Sequence, residues 1–183
     1  MAAGNNSVTV SVDLAGLNGL LDQLGDNVDE AVRPAAQAGA QILYDEVKQN
    51  VAALGRKTGN LDRSIYQAYS AQNSSKSVAT YHVSWNSRKA PHGWLVENGH
   101  LQRYRYYKGN DGQIRPMVRP GMDGRARPGR RASQAAKDAY YVTLPTPIQV
   151  PAKAFVRRAQ AKFEQAYKAA EAELLRRING GGA

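Results

Sequence analysis

Apolar and polar residues alternate along this chain in two periods, and each period predicts a different element. Val8, Val10 and Val12 alternate with Thr9 and Ser11, which predicts a short strand after a loose end at residues 1–7. Leu14, Leu17, Leu20, Leu21 and Leu24 recur at helical spacing, although Gly16 and Gly19 lower helix propensity there. From Val28 to Leu54 the stripe Val28, Val32, Ala36, Ala40, Leu43, Val47, Val51 and Leu54 predicts a long amphipathic helix. Asp29 and Glu30 suit its positive end. Pro34 lacks an amide proton, so the helix should start near it or bend there. The small residues Ala35 to Ala40 would let it lie close to a sheet.

Gly55 to Asn60 reads as a loop. Ser64 to Tyr69 and Val78 to Trp85 read as strands, the second half-buried, with Ala79, Tyr81, Val83 and Trp85 inward and Thr80, His82 and Ser84 outward. The stretch Lys89 to His100 (KAPHGWLVENGH) is then a joint between a packed body and an arm. Arg103 to Lys108, the turn Gly109-Asn110-Asp111-Gly112 and Gln113 to Arg115 predict a β-hairpin. Arg115 to Arg131 is a Pro, Gly and Arg tract expected to stay mobile until a partner orders it. Ala139 to Leu144 reads as a last strand ended by Pro145 and Pro147. Pro151 to Ile178 reads as the second long helix, with Phe155, Ala159, Phe163, Ala166, Tyr167, Ala170, Leu174 and Ile178 on one stripe. The expected fold is α+β: one domain, an antiparallel sheet packed by two long helices. Its body spans about residues 8–100 and 139–178, a basic arm is inserted at about 101–138, and the ends 1–7 and 179–183 are flexible.

Charge sharpens this picture. The net charge of +10 is uneven: residues 86–131 hold eleven Lys or Arg against three acids, whereas residues 1–60 hold four against seven. Such a block points to a polyanionic partner, nucleic acid or an acidic protein surface, or else to a solvated loop. Ten Tyr stand beside two Phe and two Trp, and Tyr favours surfaces that meet a partner. There is no Cys, so disulfides and thiolate metal sites are excluded. No apolar run reaches the roughly 20 residues of a membrane span, and the N-terminus lacks a secretory pattern.

Chemistry is harder to find. His92, Glu97 and His100 share a short stretch, but their spacing fits no zinc motif, and Pro91 and Gly99 argue against a regular helix across them. Neither Ser64 nor Ser84 has a base marked beside it, and no Gly-rich phosphate loop precedes a helix. No catalytic, metal or cofactor site is expected, and the chain does not read as an enzyme. The stronger signal is the arm: Arg103, Arg105, Lys108, Arg115, Arg119, Arg125, Arg127, Arg130 and Arg131 could hold anions, while Tyr104, Tyr106 and Tyr107 could stack on bases or pack on protein.

Three short blocks resemble one family. Thr58 to Ile65 (TGNLDRSI) is similar to its "TG-x-L-x-x-SI" block, through Gly59, Leu61 and Ser64. Ala90 to Gly99 (APHGWLVENG) resembles "APHA-x-LVEFG", through Leu95, Val96, Glu97 and Gly99. Val150 to Ala159 (VPAKAFVRRA) resembles "PARPFLRPA", through Pro151 and Phe155. The family is that of the tailed-bacteriophage neck proteins, head–tail joining or tail-completion proteins like the tenth gene product of a lambdoid phage. The resemblance implies a non-enzymatic structural subunit of the virion, assembled in the host cytoplasm. It implies a homo-oligomeric ring, hexameric or alternatively dodecameric. That ring would dock on a tail-tube or tail-terminator protein and a head connector, with genomic DNA in its lumen and no membrane. Asn98, His100 and Ala154 depart from the pattern, and Leu101 to Gln149 is long for the family. A nucleic-acid-binding protein gripping DNA with the arm is the alternative. From the residues alone, Leu95 and Val96 should pack the joint on the body. Glu97 should pair with an Arg or accept backbone amides, and Phe155 should anchor the last helix.

Overall fold

Strands β1 (Val8–Asp13), β2 (Ile65–Tyr69) and β3 (Val78–Trp85) form an antiparallel sheet in the order β1-β3-β2. The structure is a computed structural model that describes residues 8–13, 26–55 and 58–180; the Leu14 to Leu24 pattern and both chain ends lie outside the described residues. β3 is central, and this corrects its half-buried reading: Thr80 and Ser84 are buried along with Ala79, Tyr81, Val83 and Trp85. Thr80 tolerates burial because its hydroxyl donates to Asn73 O at 2.7 Å and its amide donates to Ser74 Oγ at 2.9 Å. Of the outward set only His82 keeps partial exposure, with Nδ1 3.1 Å from Thr9 Oγ1.

Helix α1 (Asp26–Ala52) lies against this sheet and buries Ala31, Val32, Ala35, Ala36, Ala40, Leu43, Val47 and Val51. It begins well before Pro34 and runs through it, so the proline does not mark the start. α2 (Asn60–Ser64) is a five-residue helix where a loop and a strand end were expected. Lys48 of α1 reaches its Asp62 carbonyl at 3.0 Å. Gly59, at φ 73°, sits in the left-handed region just before it, and Ser64 Oγ donates to Leu61 O at 2.7 Å. α3 (Gly93–Asn98) is a short helix confined between Pro91 and Gly99, so it spans neither His92 nor His100; Gly99, at φ 71°, ends it.

The second long helix starts late. Pro151 to Ala154 is irregular, Ala154 has φ 48°, a 3-10 helix covers Arg157–Lys162, and α5 spans Phe163–Gly180. α5 rests chiefly on α1 rather than on the sheet, which corrects the picture of a sheet packed by both helices. The close approach depends on small residues, because a Cβ on Gly39 would lie 2.8 Å from Ala166 O and 3.3 Å from the Ala170 Cβ. The Ala-Gly stretch thus serves a helix–helix contact. Phe163 and Tyr167, assigned to the inner stripe, are exposed, while Ala166, Ala170 and Leu174 are buried.

By contacts the chain divides into two units, Met1–Asn98 with Ala152–Ala183, and Gly99–Pro151. The hydrophobic core, including Phe155, Val156 and Ala159, belongs entirely to the first. In the second, β4 (His100–Tyr104) pairs with β7 (Thr143–Val150), and β5 (Tyr106–Lys108) pairs with β6 (Ile114–Pro116), all antiparallel. α4 (Gln134–Tyr140) occupies the place where a strand was expected to begin. Pro145 and Pro147 interrupt β7 instead of ending it: Gln102 faces Ile148 and Tyr104 faces Thr143, so both prolines fall in the register shift between those pairs. A residue without an amide proton is tolerated there because no ladder bond is owed.

Candidate interaction surface

The joint is fastened by a buried carboxylate. Glu97 has no exposed surface, and its oxygens accept from Val156 N (2.9 Å), Arg157 N (3.1 Å) and Arg157 Nε (3.3 Å). Arg157 also donates to Glu97 O at 3.0 Å, while Lys153 N bonds Val96 O at 2.8 Å. Glu97 therefore does both things the sequence offered, and it brings Asn98 and Ala152, the two ends flanking the Gly99–Pro151 unit, into one clasp. Val96 packs against the core, but Leu95 is exposed beside Trp94, so Leu95 does not tie the joint to the body. Pro151 is exposed and Phe155 fully buried, its ring 5.4 Å from Trp85. Asn50, which no sequence pattern marked, donates to Phe155 O at 3.1 Å from a buried position.

The arm is more ordered than its composition implied. Its centre is aromatic: Tyr141 is buried, with ring centroids of Tyr104 at 5.3 Å and Tyr140 at 4.9 Å. Tyr104 OH donates to Asp138 Oδ1 at 2.8 Å, and Gln134 donates to both. The tyrosine hydroxyl, then the Gln134 amide, then the charges of Arg103 and Arg119 hold the Asp138 carboxyl below its usual value, against desolvation. Desolvation and the same Asp138 bond push the Tyr104 hydroxyl up.

The Arg115 to Arg131 tract, expected to be mobile, is tied down at several points. Arg119 Nε donates to the Asp138 and Tyr141 carbonyls at 2.9 Å each, and Arg127 Nε donates to Tyr141 OH at 2.7 Å. Tyr140 OH donates to Arg125 O, and Lys137 Nζ to Arg130 O. Tyr104, Arg119 and Arg127 are therefore spent on internal structure. Arg103, Arg105, Lys108, Arg125, Arg130 and Arg131 have no side-chain hydrogen bond or ion pair among the described residues and are exposed. Arg115 pairs with Asp111 in the hairpin turn.

That hairpin carries Tyr106, Tyr107 and Ile114, each roughly half exposed. Its register puts Tyr106 and Lys108 on one face with Pro116 and Ile114, and Tyr107 with Arg115 on the other. Gly112, at φ 74°, closes the turn. His92, Glu97 and His100 form no metal cluster: among the described residues no group of three metal-ligating side chains is gathered anywhere. No helix among the described residues is long and apolar enough to cross a membrane.

Residues 16–99 match a family model described as "Bacteriophage HK97-gp10, putative tail-component". This segment is similar to that phage tail-component family. The match takes in two of the three resembling blocks, Thr58 to Ile65 and Ala90 to Gly99, and covers just under half of the chain. Its last residue, Gly99, is the first of the second unit. The matching segment takes in α1, the sheet strands β2 and β3 and the Glu97 side of the clasp. No curated protein and no solved structure matches the chain.

Proposed function

We propose that this protein is a structural, non-catalytic subunit of the phage neck, whose copies form a ring that joins the tail to the head connector. The observation that carries the reading is the tail-component match over residues 16–99. The Glu97 clasp supports it, because it ties together the two stretches of chain that flank the Gly99–Pro151 unit. A subunit that assembles needs an exposed contact surface, and Tyr106, Tyr107 and Ile114 supply aromatic and aliphatic anchors of the kind that dominate protein interfaces. The partner of this hairpin is the neighbouring subunit, or the tail-tube, terminator or connector protein stacked on the ring. A ring needs head-to-tail contacts, so the hairpin and its receiving surface are different patches of the chain. The ring is expected to be hexameric, and the protein to reside in the virion.

The test is the triple variant Tyr106→Ser, Tyr107→Ser, Ile114→Ser, produced in place of the natural protein during phage growth. Separate heads and tails should accumulate, and native mass measurement should find the purified variant as a monomer. Joined, infectious particles in normal yield would overturn the reading.

A further inference from the structure

The hydrogen bonds that order the arm also gather its charge. Gly99–Pro151 holds ten Lys or Arg against three acids. One of those acids, Asp138, is occupied by Tyr104 and Gln134, and another, Asp111, is paired with Arg115. Three chain segments converge on α4. Arg103 lies near enough to act on the Asp138 charge, Arg125 is drawn in through its carbonyl by Tyr140 OH, and Arg130 through its carbonyl by Lys137 Nζ. Because backbone atoms make the last two ties, the guanidinium groups of Arg125 and Arg130 stay uncommitted, as does that of the adjacent Arg131.

We propose that this Arg cluster around α4 is a binding surface for the phosphate backbone of double-stranded DNA, separate from the hairpin that meets protein. The chemistry around α4 favours nucleic acid over an acidic protein. Protein interfaces are anchored by buried aromatic or aliphatic side chains. Between Arg119 and Arg131 the apolar side chains are Met122, which is partly covered, Ala126 and two prolines. The exposed large apolar groups of this unit sit elsewhere, on β5, β6 with the adjoining Met117, and the β4–β7 pair. Unpaired guanidinium groups without apolar anchors suit a polymer of evenly spaced charge, read without regard to sequence. The inference does not depend on the ring.

Binding of the full chain to a fluorescent mixed-sequence duplex, followed by anisotropy from 50 to 200 mM NaCl, tests it. About six phosphate contacts predict a roughly thousandfold loss of affinity over that range. The variant Arg103→Gln, Arg125→Gln, Arg130→Gln, Arg131→Gln should remove most of this slope and weaken binding at 50 mM at least tenfold. The charge-matched control Lys153→Gln, Arg158→Gln, Lys162→Gln, Lys168→Gln should bind like the natural chain. Unchanged binding by the first variant while its circular dichroism is native, equal losses in both variants, or no binding at 50 mM salt would each overturn the proposal. So would competition by polyglutamate as effective per charge as DNA, which would assign the cluster to an acidic protein.

Discussion

Glu97 carries a charge with none of its surface in water, and it is tolerated because three donors converge on it. Glu97→Ala should leave the Val156 and Arg157 amides without partners and cost about 3 kcal/mol. Glu97→Gln should recover less than half of that, since one amide would then face a donor. A urea midpoint unchanged in Glu97→Ala would show that the clasp contributes nothing. Glu173 is a different case, partly exposed and flanked by Arg176 at 2.7 Å and Arg177 at 2.7 Å. Hydrogen bonds from Arg176 and then Arg177 lower its carboxyl to about 2 from an ordinary 4.5. A depressed folded value means that this stabilisation is complete above about pH 4.5 and lost as pH falls toward 2. Helicity of the natural chain should decline through that window, whereas Glu173→Gln should lack the ion-pair contribution throughout. Superimposable acid titrations would refute it. At this scale the sequence was readable where one residue type has few options: a lone acid following Trp94, Leu95 and Val96 had to find cations or amides. Asn50 was not readable, because its partner Phe155 O is 105 positions away.

Among the elements, α1 shows how local pattern and packing trade against each other. Glycine inside a helix costs about 1 kcal/mol relative to alanine, so Gly39→Ala would ordinarily stabilise. Here the added methyl meets the Ala166 carbonyl oxygen at 2.8 Å, and overpacking of that kind costs about 1–3 kcal/mol. The second effect should win, lowering Tm by about 2–4 °C; a raised Tm would mean the two helices separate freely. The periodicity of α1 was plain in the sequence because its buried stripe persists from Ala31 to Val51. Its neighbour was not, since small residues suit a sheet or a helix equally well. α2 and α3 were missed because five or six residues give too little period to detect. α5 was drawn about three turns too early, since Phe155 and Ala159 continue its stripe although the chain there is irregular and then 3-10.

For the molecule as a whole, the placement of the core makes a separable arm. Among the described residues the main hydrophobic cluster lies outside Gly99–Pro151, whose own buried hydrophobic residue is Tyr141, and the chain on either side of that unit is joined by the Lys153 N to Val96 O bond. Replacing Gly99–Pro151 with a short glycine linker should leave a folded unit with one cooperative unfolding transition and the natural core's near-ultraviolet spectrum. A product with helical signal but no cooperative transition would show that the body depends on its insertion.

Composition and periodicity by themselves determined that the chain has a strand-and-helix body, a charged aromatic insertion and no thiol chemistry, because those properties depend only on residue type and spacing. The likeness to phage neck proteins was also legible, as its motifs are short and contiguous. Tertiary structure alone decided which charges are free. Whether an arginine is an anchor or an open contact depends on carbonyls and hydroxyls brought from distant segments, as Tyr141 and Asp138 are brought to Arg119 and Arg127. No local pattern encodes that choice.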